Sequence, residues 1–215
     1  MKINNILFDL DGTLTDPKVG ITKSVAHALK HFGIDKDPNE LCHFIGPPLK
    51  VMFNHDYGFN DAECDTAIKV YRERFSVVGK FENELYPCTV ETLKTLKQNG
   101  KRLFIATSKP EVFALDIAKH FDIFKYFERI HGIALGEEHI EKDVVIKRLM
   151  EQYNLSPDDT LMVGDRCFDI EGAHKNNLKC VGVLFGYGSE QEHIEANADY
   201  IVDTNRDLYE FMKGL

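Results

Sequence analysis

The sequence predicts an α/β fold, a parallel sheet covered by helices on both faces and interrupted after its first strand by a helical insert. Three observations predict it. Ile3, Ile6, Leu7 and Phe8 form the nearly continuous apolar run of a strand buried on both sides. The roughly seventy residues that follow carry helical spacing and turn residues but no alternating strand. From Tyr86 onward, short apolar runs alternate with helical patterns, the order that parallel strands with crossover helices require.

Taken in order, the first strand ends in Asp9-Leu10-Asp11-Gly12-Thr13. Two carboxylates and a glycine turn thus stand at a strand's carboxyl end, where open α/β sheets bind ligands. Asp16-Pro17 reads as an N-cap followed by proline at the first helical position. Ile21, Val25, Leu29 and Phe32 then repeat at helical spacing up to Gly33. Further helices are expected over 40–44, 49–55 and 61–78, separated by the turns Ile45-Gly46-Pro47-Pro48 and Tyr57-Gly58-Phe59-Asn60.

The texture changes at Tyr86-Pro87. Val90, Leu93 and Leu96 mark a helix that stops at Asn99-Gly100. Residues 102–107 are expected as the second strand, with Ser108-Lys109-Pro110 opening the next helix, and 127–133 as a short third strand. Lys142 opens a helix with Ile146, Leu149, Met150 and Tyr153 on one face. Residues 160–164, 179–184 and 200–202 complete the strands before a last helix.

Composition bounds the function. With 43% hydrophobic and 28% charged residues, and no apolar run near the eighteen or so residues of a membrane span, the chain reads as soluble and globular. Its first residues lack a signal peptide's apolar region, and the five cysteines, Cys42, Cys64, Cys88, Cys167 and Cys180, form no CxxC pair. A cytoplasmic protein without disulfides or a zinc site is therefore expected, as a monomer or weak dimer. A formal net charge of −9 argues against nucleic acid polymers and membrane surfaces as partners. A small anionic substrate stays compatible, because a metal ion and a few local cations can reverse the field inside a pocket.

Three further polar points sit where such a sheet would bring them near Asp9. Thr107-Ser108 alone reads as a helix cap, yet a hydroxyl with the free N–H groups of a helix start would suit a phosphate oxygen. Lys142 alone reads as a solvated surface lysine, although it opens a helix, where the dipole disfavours a cation. Lys109, beside Thr107, competes for the same anion-binding role. Asp165 and Asp169, after a strand and Gly164, can face one site from a strand end and a first helical turn, or can simply cap that helix. Clustering Asp9, Asp165 and Asp169 is costly, since each pair of like charges about 4 Å apart costs roughly 4 kcal/mol at an effective dielectric near 20. A divalent cation is expected to offset this. Hard oxygen donors suit Mg²⁺, and the lack of histidine at these positions speaks against zinc.

Asp9-Leu10-Asp11-Gly12-Thr13-Leu14-Thr15, then Thr107-Ser108, Glu141-Lys142-Asp143 and Gly164-Asp165-x-x-x-Asp169 follow one another in the order of four motifs. Together they resemble the haloacid dehalogenase-like hydrolases. The resemblance implies a Rossmann-like core over 1–15 and 86–215 and a helical C1-type cap over 16–85, which closes to exclude water and reopens for product. It implies that Asp9 attacks phosphorus to form an aspartyl-phosphate, and that Asp11 protonates the leaving oxygen and then takes a proton from water. It assigns Thr107, Ser108 and Lys142 to the phosphoryl oxygens. Mg²⁺ falls to the Asp9 carboxylate, the Asp11 backbone carbonyl and Asp165, with Asp169 acting through water or orienting the others. Gly12 lets the chain turn sharply.

Within that family Asp11 argues against dehalogenases, and no residues of a phosphoglucomutase-type cap are identifiable, which leaves phosphatases acting on a small phosphorylated metabolite. Phe44-Ile45-Gly46-Pro47-Pro48-Leu49 looks like the cap loop of the 5′-nucleotidase-like branch, which adjoins phosphoglycolate phosphatases. Of Phe44, Phe53, Tyr57 and Phe59, most are expected in the insert's own core, and one left facing the cleft, with Phe44 beside the loop as a candidate, would offer its ring to a base and favour a nucleoside 5′-monophosphate. Lys50, near the Gly46 turn, is the cation that phosphoglycolate would need. A non-catalytic class, the receiver-type phospho-acceptor module, also combines aspartates, Mg²⁺ and lysine. Receivers, however, carry no such insert, and their acceptor lies on a later strand.

Overall fold

The structure is a computed structural model describing residues 3–137 and 140–215. Met1 and Lys2, with which the expected core begins, lie outside the described residues. Six strands make one sheet: β1 (Asn5–Phe8), β2 (Arg102–Pro110), β3 (Arg129–Ile133), β4 (Thr160–Gly164), β5 (Lys179–Val183) and β6 (Tyr200–Val202). Their spatial order is β3-β2-β1-β4-β5-β6, and every neighbouring pair is parallel. The order reverses at β1, which lies between β2 and β4, and a crevice at such a reversal is where doubly wound sheets take ligands.

Alternation within the strands explains why both faces are covered. Ile6, Phe8, Ile105, Val163 and Val181 belong to the core on one face, and Leu7, Phe104, Met162 and Cys180 to the core on the other. Helices supply the partners, among them α4 (Thr89–Gln98), α5 (Glu111–His120), α6 (Lys142–Tyr153), α7 (Cys167–Lys175) and α9 (Asn205–Lys213), with α8 (Glu190–Glu195) a short turn between β5 and β6. Register then decides what meets at the carboxyl edge. Phe8 lies level with Ile105 on one side and Val163 on the other, so the residues just beyond them share one end of the sheet.

The chain divides into two compact units, Met1–Asp16 with Leu85–Leu215, and Pro17–Glu84. The second is helical, built on α1 (Lys18–His31), a 3₁₀ turn at Pro38–Phe44, α2 (Leu49–Tyr57) and α3 (Asp61–Phe75). Its core includes Leu41, Phe44, Phe53, Phe59, Ala67 and Phe75.

Local chemistry moves several boundaries from where the pattern put them. Pro17 itself is the N-cap of α1, with no side-chain cap; Asp16 instead accepts a hydrogen bond from the Tyr187 hydroxyl. No helix opens at Ser108. β2 runs to Pro110 and α5 begins at Glu111, because the proline ring disfavours helical backbone in the residue before it. The short α8 was not expected, since six residues give apolar periodicity too little length to register.

Candidate active site

β1 hands its ladder directly to the first carboxylate: the Asp9 N–H donates to Val163 O at 2.9 Å, so Asp9 continues the strand and is held by it. The chain then turns. Gly12 has φ +84°, and a Cβ there would lie 2.1 Å from Asp165 Oδ2. Only glycine permits both the left-handed backbone and the close approach of the Asp165 carboxylate. Leu14 N–H to Leu10 O at 2.9 Å and Gly12 N–H to Thr15 O at 2.8 Å close the turn.

Asp9, Asp165 and Asp169 each offer a carboxylate oxygen within 4.8 Å of the others, and all three residues are buried. Lys142, the first residue of α6, lies among them at 6% exposure. Its Nζ is 2.7 Å from Asp9 Oδ1 and 2.6 Å from Asp169 Oδ1. Burial works against the ammonium, but Asp169 and Asp9 outweigh it and hold its pKa above the ordinary lysine value. The Asp169 carboxyl is pushed up to about 6, chiefly by burial, with Lys142 opposing and Asp9 adding. Burial, then Asp169 and Asp9, raise Asp165 well above the usual carboxylate range. Asp11 is also raised by burial, against the pull of Lys109.

One lysine does not balance three carboxylates, and all the donors are hard oxygens. The set therefore fits a hard divalent cation of the Mg²⁺ kind. Asp169 has both oxygens engaged, Oδ1 by Lys142 and Oδ2 by the Arg166 N–H at 3.1 Å. Asp165 Oδ2 takes the Tyr187 N–H at 2.8 Å, whereas among the described residues Oδ1 meets only the Thr13 hydroxyl, at 3.4 Å. Asp165 is thus the freer of the two to coordinate.

The shift at Asp169 sets a pH dependence. Its folded pKa, about 6, lies above its ordinary value of 3.8. Below both values the group is protonated folded or unfolded and costs nothing. Between them the unfolded chain ionises first, and above about pH 6 the metal-free fold is left roughly 3 kcal/mol less stable by this group. Mg²⁺ is expected to restore that loss, raising Tm at pH 7.5 by on the order of 5 °C more than at pH 5. Thermal melts at both pH values, with Mg²⁺ and with chelator, measure it; a gain no larger at pH 7.5 would argue against cation binding here.

The two candidate lysines part company. Lys142 serves Asp9 and Asp169, whereas the Lys109 ammonium bonds to Asp11 Oδ2. Thr107 is buried on β2, its hydroxyl accepting the Lys109 N–H at 3.2 Å. Ser108 is exposed on the same strand. Neither has a helix start behind it, because α5 opens only at Glu111; the expectation of free helical N–H groups at Thr107-Ser108 is corrected.

In the helical unit, the reading of Phe44 as a ligand-facing ring is corrected as well. It is 2% exposed, packed with ring centroids 5.2 Å from Phe53 and 6.3 Å from Tyr57. Phe53 and Phe59 are equally committed to that core, and Tyr57 is the half-buried member of the group. Gly46 is an exposed turn residue with φ 106°. Lys50 Nζ lies 2.9 Å from Asp61 and 3.7 Å from Asp65, so its charge is already answered locally.

Sequence reasoning missed the loop after β5. Besides the Tyr187 N–H on Asp165, the buried His193 places Nε2 2.8 Å from the Asp165 carbonyl oxygen. A Cβ on Gly186 would come within 2.4 Å of both Asp165 Cβ and Gly12 O. The signal available, Gly186-Tyr187-Gly188-Ser189, marks a turn but says nothing of what the turn rests on.

Known proteins carry related sequences and the same architecture. A family model described as haloacid dehalogenase-like hydrolase matches residues 6–183. The chain is 46% identical over 193 residues to a 5′-nucleotidase of Pseudomonas aeruginosa, covering 89% of this chain and 87% of that one. It is 36% identical over 184 residues to the tyrosine-protein kinase PtkA of Mycobacterium tuberculosis, covering 85% of this chain but 62% of PtkA. The crystal structure of a predicted phosphatase from Clostridium acetobutylicum matches with a TM-score of 0.95 and 43% identity over the full length of both chains.

Proposed function

The chain belongs to the haloacid dehalogenase-like hydrolases, and on that basis we propose a Mg²⁺-dependent phosphatase that hydrolyses nucleoside 5′-monophosphates through an aspartyl-phosphate on Asp9. The observation that carries the reading is the constellation of Asp9, Asp165 and Asp169 around the Lys142 ammonium at the carboxyl end of β1.

In this reading the Asp9 carboxylate attacks phosphorus while the bond to the leaving oxygen breaks. Lys142, 2.7 Å from Asp9 Oδ1, fixes the nucleophile's orientation and brings positive charge to the phosphoryl oxygens. The Thr107 hydroxyl supplies a further polar contact from β2. Asp11 gives its proton to the leaving oxygen; burial raises its pKa against the pull of Lys109, the direction a proton donor needs. In the second half, water attacks phosphorus, its proton passes to Asp11, and Asp9 is released with inorganic phosphate. Asp9 and Asp165 would hold Mg²⁺, with Asp169 in support, and the ion would screen the repulsion between these carboxylates and a phosphate dianion.

The nucleotide preference is supported by the 46% identity to a protein named 5′-nucleotidase. The pairing of Lys50 with Asp61 and Asp65 supports it too, since phosphoglycolate's second anion would need an uncommitted cation. The test compares kcat/KM for a nucleoside 5′-monophosphate and for phosphoglycolate, with Mg²⁺ and with chelator, by release of inorganic phosphate. The nucleotide is expected to lead by about tenfold or more, equivalent to about 1.4 kcal/mol. Lys50→Ala is expected to leave that ratio unchanged, and chelation to stop both reactions. A parent that prefers phosphoglycolate, and loses that preference in Lys50→Ala, would overturn the nucleotide assignment.

A further inference from the structure

Two lysines reach the acidic cluster, and they do different things. Lys142 is spent on Asp9 and Asp169. The Lys109 ammonium, its side chain only 6% exposed, is engaged with Asp11 Oδ2. The other oxygen of the same carboxylate, Asp11 Oδ1, is buried and has no hydrogen-bond partner among the described residues. A buried carboxylate oxygen left unpaired is costly, and here it sits on the group that the proposed reaction needs as acid and base.

The backbone explains how Lys109 comes to be there. β2 shifts register against β3 between Ala106 and Pro110, and the proline keeps Lys109 extended. The Lys109 N–H is tied to the Thr107 hydroxyl at 3.2 Å. On the β3 side, a Cβ at Gly132 would lie 2.4 Å from Lys109 O, so glycine there allows the edge strand to pack against the bend.

We propose that Lys109 is a positioning residue for the acid–base step: its ammonium grips Asp11 Oδ2 and so presents Oδ1 to the leaving oxygen and then to the attacking water. The proposal rests on the hydrolase reading above, in which Asp11 is the acid and base. The steps it serves are balanced. As the Asp9–phosphorus bond forms and the bond to the leaving oxygen breaks, that oxygen takes the proton from Asp11 Oδ1. As water then adds to phosphorus and the Asp9–phosphorus bond breaks, the water's proton returns to Oδ1. In this role Lys109 acts through Asp11 rather than on the phosphoryl group. A phosphate-binding lysine would act differently, by holding every phosphomonoester alike.

The experiment uses that difference. Phosphorylation of Asp9 and its reversal by water are followed by rapid quench and mass spectrometry in the parent, Lys109→Met and Lys109→Arg. The substrates are an aryl phosphate, whose leaving group needs little protonation, and an alkyl phosphate, whose leaving group needs it fully. Well-placed general acid–base catalysis is worth about 10²–10⁴-fold, so Lys109→Met is expected to slow phosphorylation by the alkyl phosphate roughly 10–100-fold relative to the aryl phosphate. Breakdown of the phosphoenzyme should slow by a similar factor. The ratio of the two substrates in one preparation does not depend on how much of it is folded. Lys109→Arg, which keeps a cation in reach of Asp11, is expected to recover most of the alkyl rate. If Lys109→Met instead raises KM equally for both substrates with kcat unchanged, Lys109 binds phosphate and the positioning role is overturned. If the parent itself shows no turnover with Mg²⁺, the hydrolase reading falls, and this proposal falls with it.

Discussion

Asp9→Asn is expected to abolish turnover while leaving the fold in place. The amide keeps the shape of the carboxylate and can still accept a hydrogen bond from Lys142, now 2.7 Å from Asp9 Oδ1. It also takes one negative charge out of the cluster with Asp165 and Asp169, so the metal-free protein should melt no lower than the parent. What it lacks is the nucleophile. Loss of a covalent nucleophile removes the whole two-step route, and a fall of on the order of 10⁴-fold or more in kcat is anticipated. Turnover, the mass of the quenched protein and a thermal melt together measure this. An Asp9→Asn variant that turns over at the parent's rate would remove Asp9 from the mechanism.

Asp11→Asn should separate the two half-reactions. Asparagine cannot supply or accept the proton, so an alkyl phosphate, with its poor leaving group, should phosphorylate Asp9 about 10²–10⁴-fold more slowly. An aryl phosphate should still do so at close to the parent's rate. The phosphoenzyme should then accumulate, because no base remains to activate water. Rapid quench with an aryl phosphate would show one extra phosphoryl group on most of the protein. An equal loss of the first step for every leaving group would mean that Asp11 acts on binding or on the metal rather than on the proton. The engagement of Asp11 Oδ2 with Lys109 makes this variant informative as a pair with Lys109→Met: if both act through one proton transfer, their effects should not add.

Much of this protein is legible in its sequence because the relevant physics is local. Apolar runs of strand length, helical spacing and glycine or proline punctuation mark all six strands of the sheet and the helical insert after the first. The acidic residues could be placed at strand ends for the same reason. A carboxylate directly after a buried strand must emerge at its carboxyl edge, as Asp9 does after Phe8 and Asp165 after Gly164. Parallel pairing of β1 with β4 then brings the two together without further information.

Other features depend on contacts between residues far apart in the chain. Local pattern could not choose between Lys109 and Lys142. Tertiary structure assigned both, one to Asp11 and one to Asp9 with Asp169, because each ammonium follows the nearest uncompensated carboxylate in a buried space. Nor could it say which aromatic rings of the insert would be consumed by its core; Phe44 is, since a helical unit of that size needs its large rings to fill its own interior. Tyr187 and His193 had no legible link to Asp165 at all. Their contacts exist only because the loop after β5 folds back over β4's end, where a buried carboxylate and its carbonyl must find donors or lose stability. Short-range periodicity and spacing were thus enough to specify the sheet, the insert and the strand ends at which the acidic residues gather. Which cation holds which carboxylate was left to three-dimensional packing, because burial and charge compensation act through space rather than along the chain.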